Sequence, residues 1–101
     1  MACGKHVIIT NYSAHTEFCN TKNSYLIDID ELEPAYDGKW FNGKVGSWAK
    51  IGEDQIEQAI NHMRTIHNLK KENMLNKNIE GISTSQKFTW ENTAKEILNN
   101  V

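Results

Sequence analysis

Apolar and polar positions fall into three kinds of pattern along this chain. Near its beginning, Val7-Ile8-Ile9 is a continuous apolar run, and it predicts a buried strand from His6 to Asn11. In "NSYLIDI", Tyr25, Ile27 and Ile29 alternate with Leu26 and Asp28, which predicts a second strand. Between them, "SAHTEFCN" reads as a short helix with Ser13 as N-cap and Glu17 placed favourably in its first turn. Two strands joined by a short helix suggest a parallel pair with a crossover. From Asp30 to Lys50 the periodicity vanishes. Pro34, Gly38, Gly43 and Gly46 punctuate that stretch, and Tyr36, Trp40, Phe41 and Trp48 are scattered through it. It reads as an irregular loop, either functional or packed on the surface.

Helical spacing dominates the second half. Ile56, Ala59, Ile60, Met63 and Ile66 predict a helix from Glu53 to Leu69. Glu53 and Asp54 at its start and Lys70 and Lys71 past its end complement the helix dipole. Ile56, Ile60 and Met63 are expected to face the sheet, so that Ile60→Ala costs on the order of 2–5 kcal/mol. A weaker helix is expected over Asn73 to Ser85, with Leu75, Ile79 and Ile82 in register and Gly81 as an interruption. The last begins at "FTWENTAKEILNNV", with Thr89 as N-cap and Trp90, Ala94, Ile97 and Leu98 as its stripe.

Composition narrows the class. The chain has 101 residues, enough for one domain, 39% of them hydrophobic and 24% charged. A net charge of −2 argues against a dedicated nucleic-acid binder. No apolar run approaches the roughly 20 residues of a membrane span, and no signal peptide is visible. Two cysteines, Cys3 and Cys19, make no disulfide framework, so a cytoplasmic setting is expected.

The amino end adds a puzzle. Met1-Ala2-Cys3 reads as the last turn of a helix and Gly4 as its left-handed stop, yet no helix precedes them. Together with "NSYLI" and the terminal "KFTWENTAKEIL", this opening resembles the C-terminal end of the nucleotide-sugar-dependent retaining glycosyltransferases of GT-B architecture. In that family a helix ends in Met-Ala-small-Gly, matched by Met1 to Gly4. A short strand follows, matched by Val7 to Thr10, then a glycine-rich turn and a glutamate, matched by Glu17. An aromatic-Ser/Thr-Trp-Glu-x-x-Ala pattern starts the last helix, matched by Phe88, Thr89, Trp90, Glu91 and Ala94. The resemblance covers essentially the whole chain. It implies an α/β fold: a partial Rossmann-like domain, a small parallel sheet flanked by helices, with residues 1–101 as the C-terminal part of a GT-B C-terminal domain.

The resemblance also implies a function, transfer of a hexosyl group from a nucleotide-sugar donor to a polysaccharide or glycoconjugate, without metal or other cofactor. The family's pair of donor-holding glutamates, about two helical turns apart, would lie just before Met1. The chain then reads as a truncated gene product, the second half of a split gene or a mis-called start, inactive alone. His6 stands where the family has proline, and Ala14 where it has glycine, which narrows the approach of a phosphate or sugar.

In doubly wound sheets ligands bind beyond the carboxyl ends of the strands. Asn11, Tyr12, Ser13 and His15 are therefore the donor-proximal candidates in a full-length parent; alternatively they cap and cover the short helix. No residue is assigned a catalytic role. Cys3, His6, His15 and Cys19 lack a zinc-knuckle spacing, and His62 and His67 are not an i, i+4 pair. Trp40, Phe41 and Trp48 either stack on sugar rings or pin the long loop. A non-catalytic module that docks on an upstream polypeptide is the alternative. A bare strand edge and the stripe of Trp90, Ile97 and Leu98 point to such docking or to a homodimer.

Overall fold

The computed structural model describes all residues, Met1–Val101, as a small α/β arrangement of two separate two-stranded sheets and three α-helices. The expected parallel pair is present. β1 (Ile8–Thr10) and β2 (Tyr25–Ile27) run parallel, with Ile8 opposite Tyr25 and Thr10 opposite Ile27. Both are shorter than the apolar runs predict. Their crossover carries a single 3₁₀ turn, Ala14–Glu17. Ser13 does not cap that turn with its side chain. It sits instead at φ 70, and its carbonyl accepts from the N–H and hydroxyl of Thr16.

Residues 30–50 are ordered, which corrects the expectation of an irregular loop. β3 (Leu32–Tyr36) and β4 (Asn42–Ala49) form an antiparallel hairpin, with Leu32 opposite Ala49 and Tyr36 opposite Asn42. A bulge between Pro34 and Tyr36 breaks the register, and Gly43 and Gly46 hold positive φ in the facing strand. Those features erase the period-two signal that would mark a strand. At the tip, the Asp37 carboxylate accepts the N–H groups of Lys39, Trp40 and Phe41 at 2.8–2.9 Å.

α1 (Glu53–Lys71) extends the predicted helix by two residues. Its packed face differs from the expected one. Gln55, Ala59, His62, Ile66 and Leu69 turn inward, while Ile56, Ile60 and Met63 are 52%, 38% and 54% exposed. The inward face is held to the sheet by polar bonds. His62 Nε2 bonds the Leu26 carbonyl at 2.7 Å, and Gln58 Oε1 accepts the Asp28 N–H at 2.8 Å. Asn73 takes the left-handed conformation (φ 54) just past the helix end, where asparagine is tolerated, and Met74 N–H closes on the Leu69 carbonyl.

α2 (Ile79–Ser85) begins six residues later than expected, because Asn78 caps it by accepting the Gly81 N–H at 2.9 Å. Gly81 is required there. A Cβ at that position would lie 2.5 Å from Asn78 Nδ2 and 2.6 Å from Met1 Cγ. α3 (Trp90–Asn99) starts as predicted, Thr89 accepting the Asn92 N–H at 3.1 Å. Its stripe meets nothing: Trp90 is 91% exposed and α3 touches no other element. The Met1–Gly4 segment is a turn, with Gly4 N–H bonded to the Met1 carbonyl and Gly4 at φ 72 as expected. A Cα radius of gyration of 17.1 Å exceeds the ~13 Å of a compact domain of this length, so the elements are spread rather than stacked.

Candidate functional site

At the carboxyl end of β1 and β2, the strands deliver Asn11 and Asp28 side by side. The Asn11 N–H donates to the Ile27 carbonyl at 2.8 Å, continuing the ladder one residue past the strand. The Asn11 amide then donates to Asp28 Oδ1 at 3.4 Å across the gap. Beyond Asn11 the chain turns sharply, since Ser13 adopts a left-handed φ that serine pays for in steric strain. This turn sends Tyr12 toward the hairpin, where its hydroxyl donates to the Ser47 carbonyl at 3.2 Å.

His15 folds back instead of pointing outward. Its Nε2 contacts both the carbonyl and the hydroxyl of Thr10, the last residue of β1. An imidazole that donates from Nε2 to a carbonyl keeps Nδ1 as its remaining acceptor. The four sequence candidates therefore share one strand end but divide in role. Asn11 and Ser13 are exposed, whereas Tyr12 and His15 are half-buried and spend polar atoms on the fold.

The carboxyl end also gathers residues that sequence reasoning missed. Gln55 from α1 accepts the Gly52 N–H at 3.0 Å and donates to the Asp28 carbonyl at 3.1 Å. It thereby ties the start of α1 to the exit of β2. Beside it lies a shallow cavity of about 220 Å³ walled by Asp30, Glu31, Glu53, Asp54 and Lys50. Four carboxylates against one ammonium make this flank anion-repelling. Lys50 bonds Glu31 at 2.6 Å; that hydrogen bond and charge hold the Glu31 carboxyl below the usual range and raise Lys50. No spacing in the sequence signals this cluster, because Asp30 and Asp54 come to line one cavity only through the packing of α1 on β2.

The aromatic residues of the hairpin divide as well. Trp48 donates its indole N–H to Glu33 at 3.0 Å, and Phe41 meets it edge-on at 5.9 Å. Trp40 stands 79% exposed at the tip with the Lys39 ammonium 5.3 Å from its ring. Cys3 is exposed and Cys19 buried, and His, Cys, Asp and Glu nowhere gather in threes fit to hold a metal ion. No helix is long and apolar enough to cross a membrane. Compared with known proteins, the chain matches no family model, no curated protein and no solved structure.

Proposed function

We propose that this chain is the C-terminal part of a retaining GT-B glycosyltransferase and forms one wall of its nucleotide-sugar cleft. The observation that carries this reading is the sharp turn at the carboxyl end of β1. It follows the strand directly, adopts the left-handed backbone that a glycine-rich turn adopts, and exposes Asn11 and Ser13 beside β2. Ligands of doubly wound sheets bind at such strand ends. Gly4 as a left-handed stop before β1, and Thr89 as the cap of the last helix, lend the motif matches a physical basis. Under this reading the domain is a partial Rossmann-like unit. Asn11, Tyr12, Ser13 and His15 border the donor, Asn11 through its side-chain carbonyl and Ser13 through its hydroxyl, the others by fixing the turn.

One wall does not orient a donor or stabilise a leaving nucleotide. The isolated chain is therefore expected to transfer no sugar. The acidic flank beside Gln55 disfavours a phosphate there, so donor contact is confined to the Asn11–Ser13 side. The test pairs two measurements on the purified chain. Incubation with UDP-glucose or GDP-mannose should give no turnover. An amide NMR titration with the same donors should move Asn11, Tyr12, Ser13 and His15 and spare the hairpin tip. Turnover lost in Ser13→Ala overturns the inactivity, and donor shifts that avoid residues 11–15 overturn the site.

A second reading, a non-catalytic module that docks on another polypeptide or on its own copy, is favoured by one specific observation. Ile56, Ile60 and Met63 on α1, and Trp90, Ile97 and Leu98 on α3, are apolar and uncovered. Light scattering across a concentration series tests the homodimer. A monomeric mass throughout removes it.

A further inference from the structure

The largest concavity among the principal surface pockets lies at the other end of the parallel pair from the proposed donor side. It holds about 540 Å³ between the amino end of β1 and the last turn of α1. Lys5, Lys70 and Lys77 line it, with His6 and Asn76 between them, and no carboxylate does. Its apolar contribution comes from Ile66 and Leu75. The protein's two ion pairs are Glu31–Lys50 and Glu91–Lys95, so all three lysines lack an acidic partner. In a chain of net charge −2, three unpaired ammonium groups in one groove are a local reversal of sign.

The segments that carry these lysines are fixed to one another. Asn78 N–H donates to the Gly4 carbonyl at 2.9 Å, and Asn78 Nδ2 donates to the Lys5 carbonyl at 3.2 Å. His6 Nε2 donates to the Asn76 carbonyl at 2.7 Å. These three bonds clamp residues 76–78 against residues 4–6. Gly4 also lets the chains close, because a Cβ there would lie 3.3 Å from Lys77 Cβ. Lys70 is set by the tight helix end that Asn73 and Met74 close.

The lysines are not needed to cap α1. Its terminal carbonyls at Asn68, Leu69 and Lys70 already accept the N–H groups of Glu72, Met74 and Asn73. The backbone N–H groups of Lys5, Asn76 and Lys77, three of the lining residues, donate to no backbone carbonyl. Concave cationic surfaces focus potential, and lysine is a common point-charge partner for phosphate.

We propose that this groove binds a phosphate monoester, its dianion held by Lys5, Lys70 and Lys77 and its organic part lying on Ile66 and Leu75. The proposal is independent of the donor site, which lies at the carboxyl end of the same strands. A phosphate monoester comes either from a soluble metabolite or from a lipid headgroup, and two arms of one experiment separate these sources. In the first, inorganic phosphate is titrated into the labelled chain with chloride at matched ionic strength as control. Saturable shifts are expected at Lys5, His6, Asn73 and Lys77. The double variant Lys70→Gln with Lys77→Gln should weaken them by about tenfold or more, as loss of charged hydrogen bonds does. The equal-charge control, Lys39→Gln with Lys44→Gln on the hairpin, should leave them unchanged.

In the second arm the chain is sedimented with phosphatidylcholine vesicles containing phosphatidic acid. Sedimentation that depends on Lys70 and Lys77 assigns the lipid source; phosphate shifts without sedimentation assign a soluble one. Equal shifts with chloride, or equal losses in the hairpin control, overturn the proposal. So does the absence of response in both arms.

Discussion

The strand–helix body and the hairpin are built by opposite means. In the body, the buried positions include three amide side chains, Asn23, Gln55 and Asn78, each 3–6% exposed. Asn23 Nδ2 donates to the Phe18 carbonyl and to Thr84 Oγ1, while Asn78 Nδ2 donates to the carbonyls of Lys5 and Asn23. No buried side-chain polar atom is left without a partner. The hairpin, by contrast, is held by its antiparallel backbone ladder, with exposed carboxylate contacts at its two ends around Asp37, Glu31 and Lys50, and Ala35 is its one buried residue. Its attachment to the body is as thin as Tyr12 on Ser47. The lesson is that position in this molecule is fixed by buried side-chain amides in one region and by a backbone ladder with solvated charge at its ends in the other. Interior bonds are costly to break, because each lost partner leaves a buried group unsatisfied.

The most damaging single change to this contrast is expected at Asn78. Asn78→Ala removes the cap of α2 and strands the Gly81 N–H and the Lys5 and Asn23 carbonyls. A lost cap costs about 1 kcal/mol and each buried unpaired group about 1–3. A loss of about 3 kcal/mol, read as a lowered urea midpoint, is therefore expected. For a chain with stability of ~5–15 kcal/mol that is a large fraction. A midpoint equal to wild type would show that the interior amides do not hold the body.

A smaller effect sharpens the same point from the apolar side. Ile60 is 38% exposed on the outward face of α1, so Ile60→Ala removes only part of a buried side chain. About 1 kcal/mol or less is expected in the same denaturation series, well below a core truncation. A cost above about 3 kcal/mol would mean that the face is covered in solution. If that cost fell at low protein concentration, a second copy would be the cover.

What was legible in the sequence follows from this construction. Strongly periodic or capped elements were readable: the parallel pair from its apolar runs, α1 from its long stripe, and α3 from Thr89. The choice of buried face on α1 was not. Ile56, Ile60 and Met63 are more apolar than Gln55 and His62, yet the sheet takes the polar face because Leu26 and Asp28 offer backbone groups that Gln55, Gln58 and His62 bond. The hairpin was hidden by its bulge and glycines, since both break the alternation on which strand reading depends. For the candidate residues, only their place beyond the carboxyl end of β1 was legible, from the apolar run that precedes them. The inward fold of His15 and the link from Tyr12 to Ser47 were not, because they depend on the left-handed Ser13 and on a hairpin read as loop.

The smallest expected effect separates the two regions by pH. The Asp37 carboxyl is held below its ordinary range, first by the Phe41 N–H and then by that of Lys39; Glu31 is lowered by the hydrogen bond and charge of Lys50. A carboxyl depressed in the folded state contributes stability above its unfolded pKa and loses it as pH falls through the lower folded value. Lys50 is raised by Glu31, so its contribution is complete below the ordinary lysine range and fades as pH rises through the higher folded value. The hairpin should therefore be unchanged between these ranges and loosen at both extremes. All three groups lie on the surface, so the effect is local. Its readout is the amide NMR shifts of Lys39, Trp40 and Phe41, which should move together on acidification with a midpoint below that of a free aspartate. In Asp37→Asn, which has an oxygen to accept the same bonds but no proton to gain, that transition should vanish. The amide locks at Asn23, Asn78 and Gln55 carry no charge, so the Asn23 amide, flanked by Lys22 and Ser24, should stay still over the same interval. If Asn23 moved with the same midpoint as the tip, hairpin and body would be one electrostatic unit, and the distinction between them would fall.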